Sequence, residues 1–402
     1  MVEQITSSES SVAPASPTAV AVAPARSPAA APVSTAALLR AMLAKAPKIS
    51  DLFFSPGKPP MVEINGELSS VGARPLAPDH TRQIATELIG NNKHALGNLR
   101  EHGSCDVSYS LAETSRFRVN IFMQRGSCVI VMRVIPGKVP DLAELNLPAE
   151  LESIVALRNG IVLVTGPTGS GKSSTLAAII DRINKTHAYH ILTIEDPIEF
   201  LHPHQKCLVH QRELHSDTTS FASALRAALR QAPKVILVGE MRDRETIEIA
   251  MEAAETGHLV MSTLHTIDAS KTVERIAGVF PLAEQHIIRN RLAKSFRYII
   301  SQRLIPLKSG TGRVAALEIL KSTLRTREYV EKGEGEGKTL LDAMRVGTTE
   351  GMQHFDGEIE KLIRGGMIDF ETGMAYATNA GNLRLELADF AESAQADGTP
   401  GA

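Results

Sequence analysis

Residues 166–173 read GPTGSGKS, directly after the apolar run IVLVT. The spacing G-x-x-x-x-G-K-S is that of a phosphate-binding loop. Residues with almost no side chain let successive backbone N–H groups turn inward around phosphate oxygens, and the helix that follows points its positive end at them. Gly166, Pro167, Thr168, Gly169, Ser170, Gly171, Lys172, Ser173 and Ser174 are therefore expected to hold a nucleoside triphosphate. Lys172 would reach the β- and γ-phosphates, and the Ser173 hydroxyl would ligate Mg²⁺. A bare glycine turn is the competing reading. The flanks argue against it, because 161–165 reads as a buried strand and 174–183 (STLAAIIDRI) as a helix.

Two acidic clusters supply the rest of a hydrolase. KVILVGEMRD ends an apolar strand on Glu240, the place where a carboxylate holds the Mg²⁺ hydration shell, usually as the shorter Asp. ILTIEDPIEF sets Glu195, Asp196 and Glu199 just past the end of another strand. In open α/β sheets ligands bind at that edge. Three acids there repel one another and any phosphate, so a metal ion and a water awaiting activation give them a purpose that a solvated acidic loop would not. Glu199, beyond the Pro197 turn, is the candidate general base, with Glu195 the alternative. GHLVMSTLHT carries His258 at its start and His265 at its end. His265, beside Thr263 and Thr266, is placed to sense the γ-phosphate; His258 is open between a structural and a functional role.

Phosphoryl transfer develops negative charge that a guanidinium can stabilise. Arg116 and Arg118 alternate with Phe117 and Val119 in SRFRVNIFMQRG, so a strand puts the two arginines on one face and the apolar pair on the other. They are candidates for a finger reaching a neighbour's nucleotide, against the alternative of a solvated sheet face. Arg125, Arg230, Arg242 and Arg275 are further candidates.

The elements that must position these residues fall into segments. A length of 402 residues accommodates two or three domains. Residues 1–35 are rich in Ala, Pro, Ser and Val and read as a disordered leader. Glu3, Glu9 and the interspersed prolines disfavour a signal peptide. Residues 36–140 read as a small α+β domain: a helix over 36–46, short strands, a helix over 79–100, then two or three adjacent strands up to Pro136. Over 141–320 strands alternate with helices (IVLVT, HILTIE, KVILVGE, HLVMSTLH), which implies a mostly parallel sheet covered on both faces. Phe221, Leu225 and Leu229 recur at four-residue steps, marking a core-facing helix. Residues 321–392 read as helical and more polar, with EKGEGEGK as an exposed loop, and 393–402 as a frayed tail.

Composition excludes some partners. A net charge of −2 gives no global field for nucleic acid, and the absence of Trp leaves little for base stacking. Cys105, Cys128 and Cys207 show no metal-site spacing and read as buried thiols of a reducing compartment. No run reaches the roughly 18 uninterrupted apolar residues of a transmembrane segment.

Taken as an ordered set, RFRVNIFMQRGS, GPTGSGKS, ILTIEDPIEF, LVGEMRD and AETGHLVMSTLHT resemble the arginine-bearing strands, Walker A, Asp box, Walker B and His box of the secretion-type hexameric ATPases. Within them the likeness is to the PilT and PilU retraction ATPases of type IV pili, over about residues 37–320. The resemblance implies a PAS-like first domain, a RecA-like second domain and a homohexamer. It implies ATP as the triphosphate, Lys172 on phosphate, Glu199 as catalytic glutamate, Glu240 at Mg²⁺ and His258 and His265 in the His box. It further implies a cytoplasmic protein peripheral to the inner-membrane pilus base, with a membrane platform protein as partner. The C-terminal part departs from PilT: STLRTREYVEKG stands where PilT proteins carry an AIRNLIRE-like motif. GMQHFDGEIEKLIRGGMIDFETGMAYATNAGNLRLEL and RQAPKVIL look PilU-like, and Lys234 replaces the family's common Asp. An accessory ring subunit beside a PilT-like partner is therefore one alternative to an autonomous motor. A pilus-assembly or type II secretion ATPase would carry a four-cysteine insert, which three scattered cysteines cannot form. A RecA-like DNA motor is disfavoured by the neutral charge.

Overall fold

The computed structural model describes residues 34–112 and 114–388. The expected leader lies outside these residues up to position 33, and the expected tail lies outside them entirely.

The first sheet is antiparallel, with β1 (Ile49–Phe54), β2 (Met61–Ile64), β3 (Glu67–Ser70), β4 (Ser104–Leu111), β5 (Ser115–Gln124) and β6 (Ser127–Ile135) in the order β3-β2-β1-β6-β5-β4. Helix Thr35–Leu43, capped by the Ser34 hydroxyl, and helix Pro78–Ile89 belong to its core, with Leu39, Met42 and Ile84 against Phe117, Val119 and Ile121. Arg116 and Arg118 thus sit on the opposite face of β5 from Phe117 and Val119, both fully buried. The helix expected over 79–100 is two helices, Pro78–Ile89 and Lys93–His102. Gly90 at φ 54° breaks the first, and the Asn92 side chain caps the second.

The second sheet contains β7 (Gly160–Thr165), β8 (His190–Glu195), β9 (Leu208–Glu213), β10 (Val235–Val238), β11 (Leu259–Leu264), β12 (Phe296–Pro306) and β13 (Arg313–Lys321). Their order is β13-β12-β7-β11-β10-β8-β9, parallel except for the β12–β13 hairpin. Every residue of β7, β10 and β11 is buried, as a sheet covered on both faces requires. Helix Phe221–Ala228 buries Leu225 completely, with Phe221 and Leu229 packed at the margin of the same core.

Three strands of this sheet are not evident in the sequence. β9 is short and half polar (LVHQRE) because it is an edge strand, and it replaces part of a helix expected between β8 and β10. β12 and β13 are long and mostly buried, and such apolar runs cannot be told from buried helix by period. Beyond β13 the chain is helical, as expected. Ile359, Ile363, Leu383 and Leu387 form a small core with Ile305, Val314 and Ala316 of the hairpin. EKGEGEGK is exposed along most of its length. The three cysteines are buried thiols. Among the described residues no helix is long and apolar enough to cross a membrane.

Candidate active site

The register of the parallel strands brings the motifs to one edge. Ile194 of β8 pairs with Val238 of β10, Val238 with Ser262 of β11, and Leu264 with Thr165 of β7. Glu195, Glu240, His265 and Gly166 therefore emerge at the same C-terminal edge.

The phosphate loop is built against β12. Gly166 has φ +144°, and a Cβ there would lie 2.4 Å from the Gln302 carbonyl oxygen. At Gly171 (φ +89°) a Cβ would lie 2.8 Å from Gln302 Nε2. Both positions need glycine for conformation and for space. Gln302 is itself fixed, since Thr175 Oγ1 donates to its Oε1 at 2.7 Å. Thr165 Oγ1 donates to Ser301 Oγ at 3.1 Å, tying the base of the loop to the same strand. The helix Lys172–Thr186 begins directly at the loop and aims its free amides into it.

Lys172 is 8% exposed, and its Nζ donates to the carbonyls of Gly166 and Pro167, each at 2.9 Å. Burial pulls its pKa below the usual lysine value, while the carboxylates of Glu199 and Glu240 act in the opposite sense. The Ser170 hydroxyl is buried without a partner among the described residues. A cradle with an orphaned hydroxyl and a lysine engaged by loop carbonyls suits a triphosphate.

The acids divide into held and free. Glu195 accepts from Thr193 Oγ1 at 2.6 Å, from Gln211 Nε2 at 3.1 Å and from the Glu199 amide at 3.5 Å. Burial raises its pKa. The Glu199 carboxylate is exposed on the cleft wall, with no hydrogen-bond or ion-pair partner among the described residues. Glu240 pairs with Arg242 Nε at 2.6 Å and lies 3.6 Å from His265 Nε2. Burial and the nearby Lys172 ammonium lower the His265 pKa, against the opposing pull of Glu240. Asp196, joined to Pro197 by a cis peptide, also faces the cleft.

The cleft, about 1040 Å³, lies between this edge and the first domain. Thr168, Gly169, Ser173 and Ser174 line it from the loop, and His94, His102, Asp106 and Arg118 from the first domain. The His94 and His215 rings stack across the two domains, centroids 4.4 Å apart and 4° from parallel.

Five expected candidates are elsewhere. Arg125 is exposed in the turn between β5 and β6. His258 precedes β11 at its opposite end, about 20 Å along the strand by residue rise, with Nδ1 against the Ala253 carbonyl at 2.9 Å. Arg230 is exposed after helix Phe221–Ala228 and does not line the cleft. Arg275 lines a separate shallow groove with Thr266 and Lys271. Arg116 is bound to Glu213 rather than open to the cleft. Of the residues that structure adds, Gln302, Gln211 and Glu213 come from strands the sequence did not reveal. Their only signal is a polar residue in a strand-forming run.

A family model described as type II/IV secretion system protein matches residues 90–381. The chain belongs to that family. Within the secretion-system family it groups with the PilT and PilU retraction ATPases. It is 44% identical over 328 residues to the type IV pilus retraction ATPase PilT of Pseudomonas aeruginosa, covering 82% of this chain and 94% of the relative. To the type IV pilus ATPase PilU of the same organism it is 40% identical over 348 residues, covering 87% and 90%. Among solved structures, the pilus retraction motor PilT with bound ADP superposes with a TM-score of 0.77 at 39% identity, covering 86% of this chain and 98% of the other. This secretion-system ATPase thus has the α/β nucleotide domain, the small N-terminal domain and the helical C-terminal region of that structure.

Proposed function

We infer that the chain is a Mg²⁺-dependent ATPase motor of type IV pilus retraction, working as a homohexamer in the cytoplasm against a platform protein of the inner membrane. The observation that carries the reading is the convergence of Lys172, Glu199, Glu240 and His265 on one sheet edge, in a chain related along most of its length to retraction ATPases. Lys172 and the loop amides would hold the phosphates, and Ser173 and Glu240 would hold Mg²⁺. The ion supplies charge neutralisation across the phosphates. Glu199 takes the proton of the attacking water, which bonds to the γ-phosphorus as the bond to the β–γ bridging oxygen breaks; ADP and phosphate leave. The free Glu199 carboxylate supports this assignment over Glu195, whose Oε1 already accepts from Thr193 and Gln211. The His265 ring, at the same strand edge, would offer a hydrogen-bonding nitrogen at the γ-phosphate position.

Arg118 is the candidate finger, exposed on the cleft with no partner among the described residues. The accessory reading, a subunit acting beside a PilT-like partner, is favoured by helix Leu324–Lys332, whose sequence LRTREYVEK leaves Leu324 87% exposed. Pilus retraction in cells whose only copy is Lys172→Ala tests the motor reading. Loss of retraction with pili still assembled is expected, and wild-type retraction would contradict it. Restoration of retraction when a PilT-type subunit alone is supplied would assign the accessory role.

A further inference from the structure

Arg116 and Arg118 lie two residues apart on β5, yet they go to different places. Arg118 faces the cleft. Arg116 crosses to the nucleotide domain, where its Nη2 donates to Glu213 Oε2 at 2.8 Å; Nη1 donates to Ser110 Oγ at 3.2 Å. The pair is largely enclosed, with side chains 19% and 5% exposed. Glu213 closes β9 directly opposite Glu195 of β8. Its Oε2 also accepts the Ile198 amide at 3.0 Å, and its own amide donates to Asp217 Oδ2 at 2.8 Å.

Ile198 immediately precedes Glu199. The two successive amides of this turn thus end on two carboxylates, Ile198 on Glu213 and Glu199 on Glu195. Glu195 is held entirely from within the nucleotide domain, by Thr193 and Gln211. Glu213 is gripped from the first domain. A carboxylate enclosed to this degree keeps its place only while its counter-charge stays, because an unpaired buried charge is costly. A shift of the first domain that drew Arg116 away would release Glu213, then the Ile198 amide, and with it the aim of the next side chain. In a reaction that depends on placing one water and one base, a displacement of about 1 Å can cost roughly 10²-fold.

We propose that Arg116 is a positioning residue acting within its own chain: through Glu213 it sets the 198–199 turn, so that hydrolysis depends on how the first domain sits on the nucleotide domain. This rests on Glu199 being the general base. A finger would touch a neighbour's nucleotide, whereas the guanidinium of this arginine is bound to Glu213 and Ser110 of its own chain and transmits domain position to the base.

The test uses the full chain and reads turnover, nucleotide binding with a fluorescent ATP analogue, and subunit mixing. Arg116→Ala and Glu213→Gln should each lower kcat about 10- to 100-fold while leaving nucleotide affinity within about twofold. The double variant should lose no more than the worse single variant, as members of one linkage do. In a Glu199→Gln background, Arg116→Ala should cost nothing further. Co-expressed Arg116→Ala and Lys172→Ala chains should show no recovery, because each lacks a part that only its own chain supplies. Recovery in those mixed assemblies would overturn the proposal in favour of a finger acting between subunits. Normal kcat in a folded Arg116→Ala chain, beside an inactive Glu199→Gln chain, would overturn it as an inert contact. Near-normal turnover by Glu199→Gln would overturn the base assignment and the purpose of the strap with it. If Arg116→Ala does not fold, Arg116→Lys keeps the charge but loses the planar fork that reaches Glu213 and Ser110 together, and the same kcat-against-affinity split applies with a smaller loss.

Discussion

Lys172 illustrates how far residue type and spacing reach. The G-x-x-x-x-G-K-S pattern assigns it to phosphate, and the fold puts its ammonium inside the loop, engaged by the Gly166 and Pro167 carbonyls. Burial works against its charge, so removing it should not weaken the fold. Lys172→Ala is expected to keep or slightly raise Tm while turnover falls below detection; a large fall in Tm would show that the lysine is structural. The acids were legible as a cluster but not in their roles. Sequence could not separate Glu199 from Glu195, because what separates them is Gln211 on β9 and the Thr193 hydroxyl, contacts made through the fold. The arginines behave alike: alternation paired Arg116 with Arg118 on one face, but the partner that parts them, Glu213, lies 97 residues away.

At the scale of elements, parallel strands rich in Val, Ile and Leu and ending on acids were readable, and they carry most of the site. The β12–β13 hairpin was not, yet β12 is the wall of the phosphate loop. Its demand on the loop is testable with two glycines that both have positive φ. Gly166→Ala places a methyl group 2.4 Å from the Gln302 carbonyl, whereas a methyl at Gly257 (φ +103°) meets nothing within 4 Å. Gly257→Ala should cost only backbone strain, about 1–2 kcal/mol. Gly166→Ala should cost more by denaturant unfolding and should abolish nucleotide binding; equal costs would contradict the close approach of β12. The hairpin also buries Glu318, which accepts the Ala269 amide at 2.8 Å and whose pKa burial pushes up to about 7. A carboxyl raised in the folded state contributes stability that is complete below its unfolded value near 4.5 and is lost as pH rises through about 7. Each pH unit across that window is worth about 1.4 kcal/mol at most. Glu318→Gln lacks this slope, so unfolding free energies measured at pH 5 and pH 8 should shift in its favour at the higher pH. Parallel pH dependence of the two proteins would remove Glu318 as the source.

At the scale of the molecule, the change of pattern after residue 140 suggested two domains, but nothing in it suggested the cleft between them. It depends on helix Lys93–His102 and β4 facing the strand ends, and nothing in the spacing of those segments announces it. Arg118 enters that cleft from the first domain of its own chain, and the proposed action on a neighbour's nucleotide needs an assembled ring. Specific activity should therefore rise with protein concentration. Mixed assemblies of Lys172→Ala and Arg118→Ala chains should recover part of the activity that each lacks, since some boundaries then pair an intact loop with an intact arginine. No recovery in assemblies shown by mass to be mixed would confine Arg118 to its own chain. The most direct test of the whole account is phosphate release by the purified full chain, wild type beside Glu199→Gln and Glu195→Gln, with ATP binding measured on the same preparations. The account predicts Mg²⁺-dependent hydrolysis by the wild type and a loss of about 10²–10⁴-fold in Glu199→Gln, with binding retained and a smaller loss in Glu195→Gln. Equal turnover by wild type and Glu199→Gln, or no hydrolysis by the wild type at all, would contradict it.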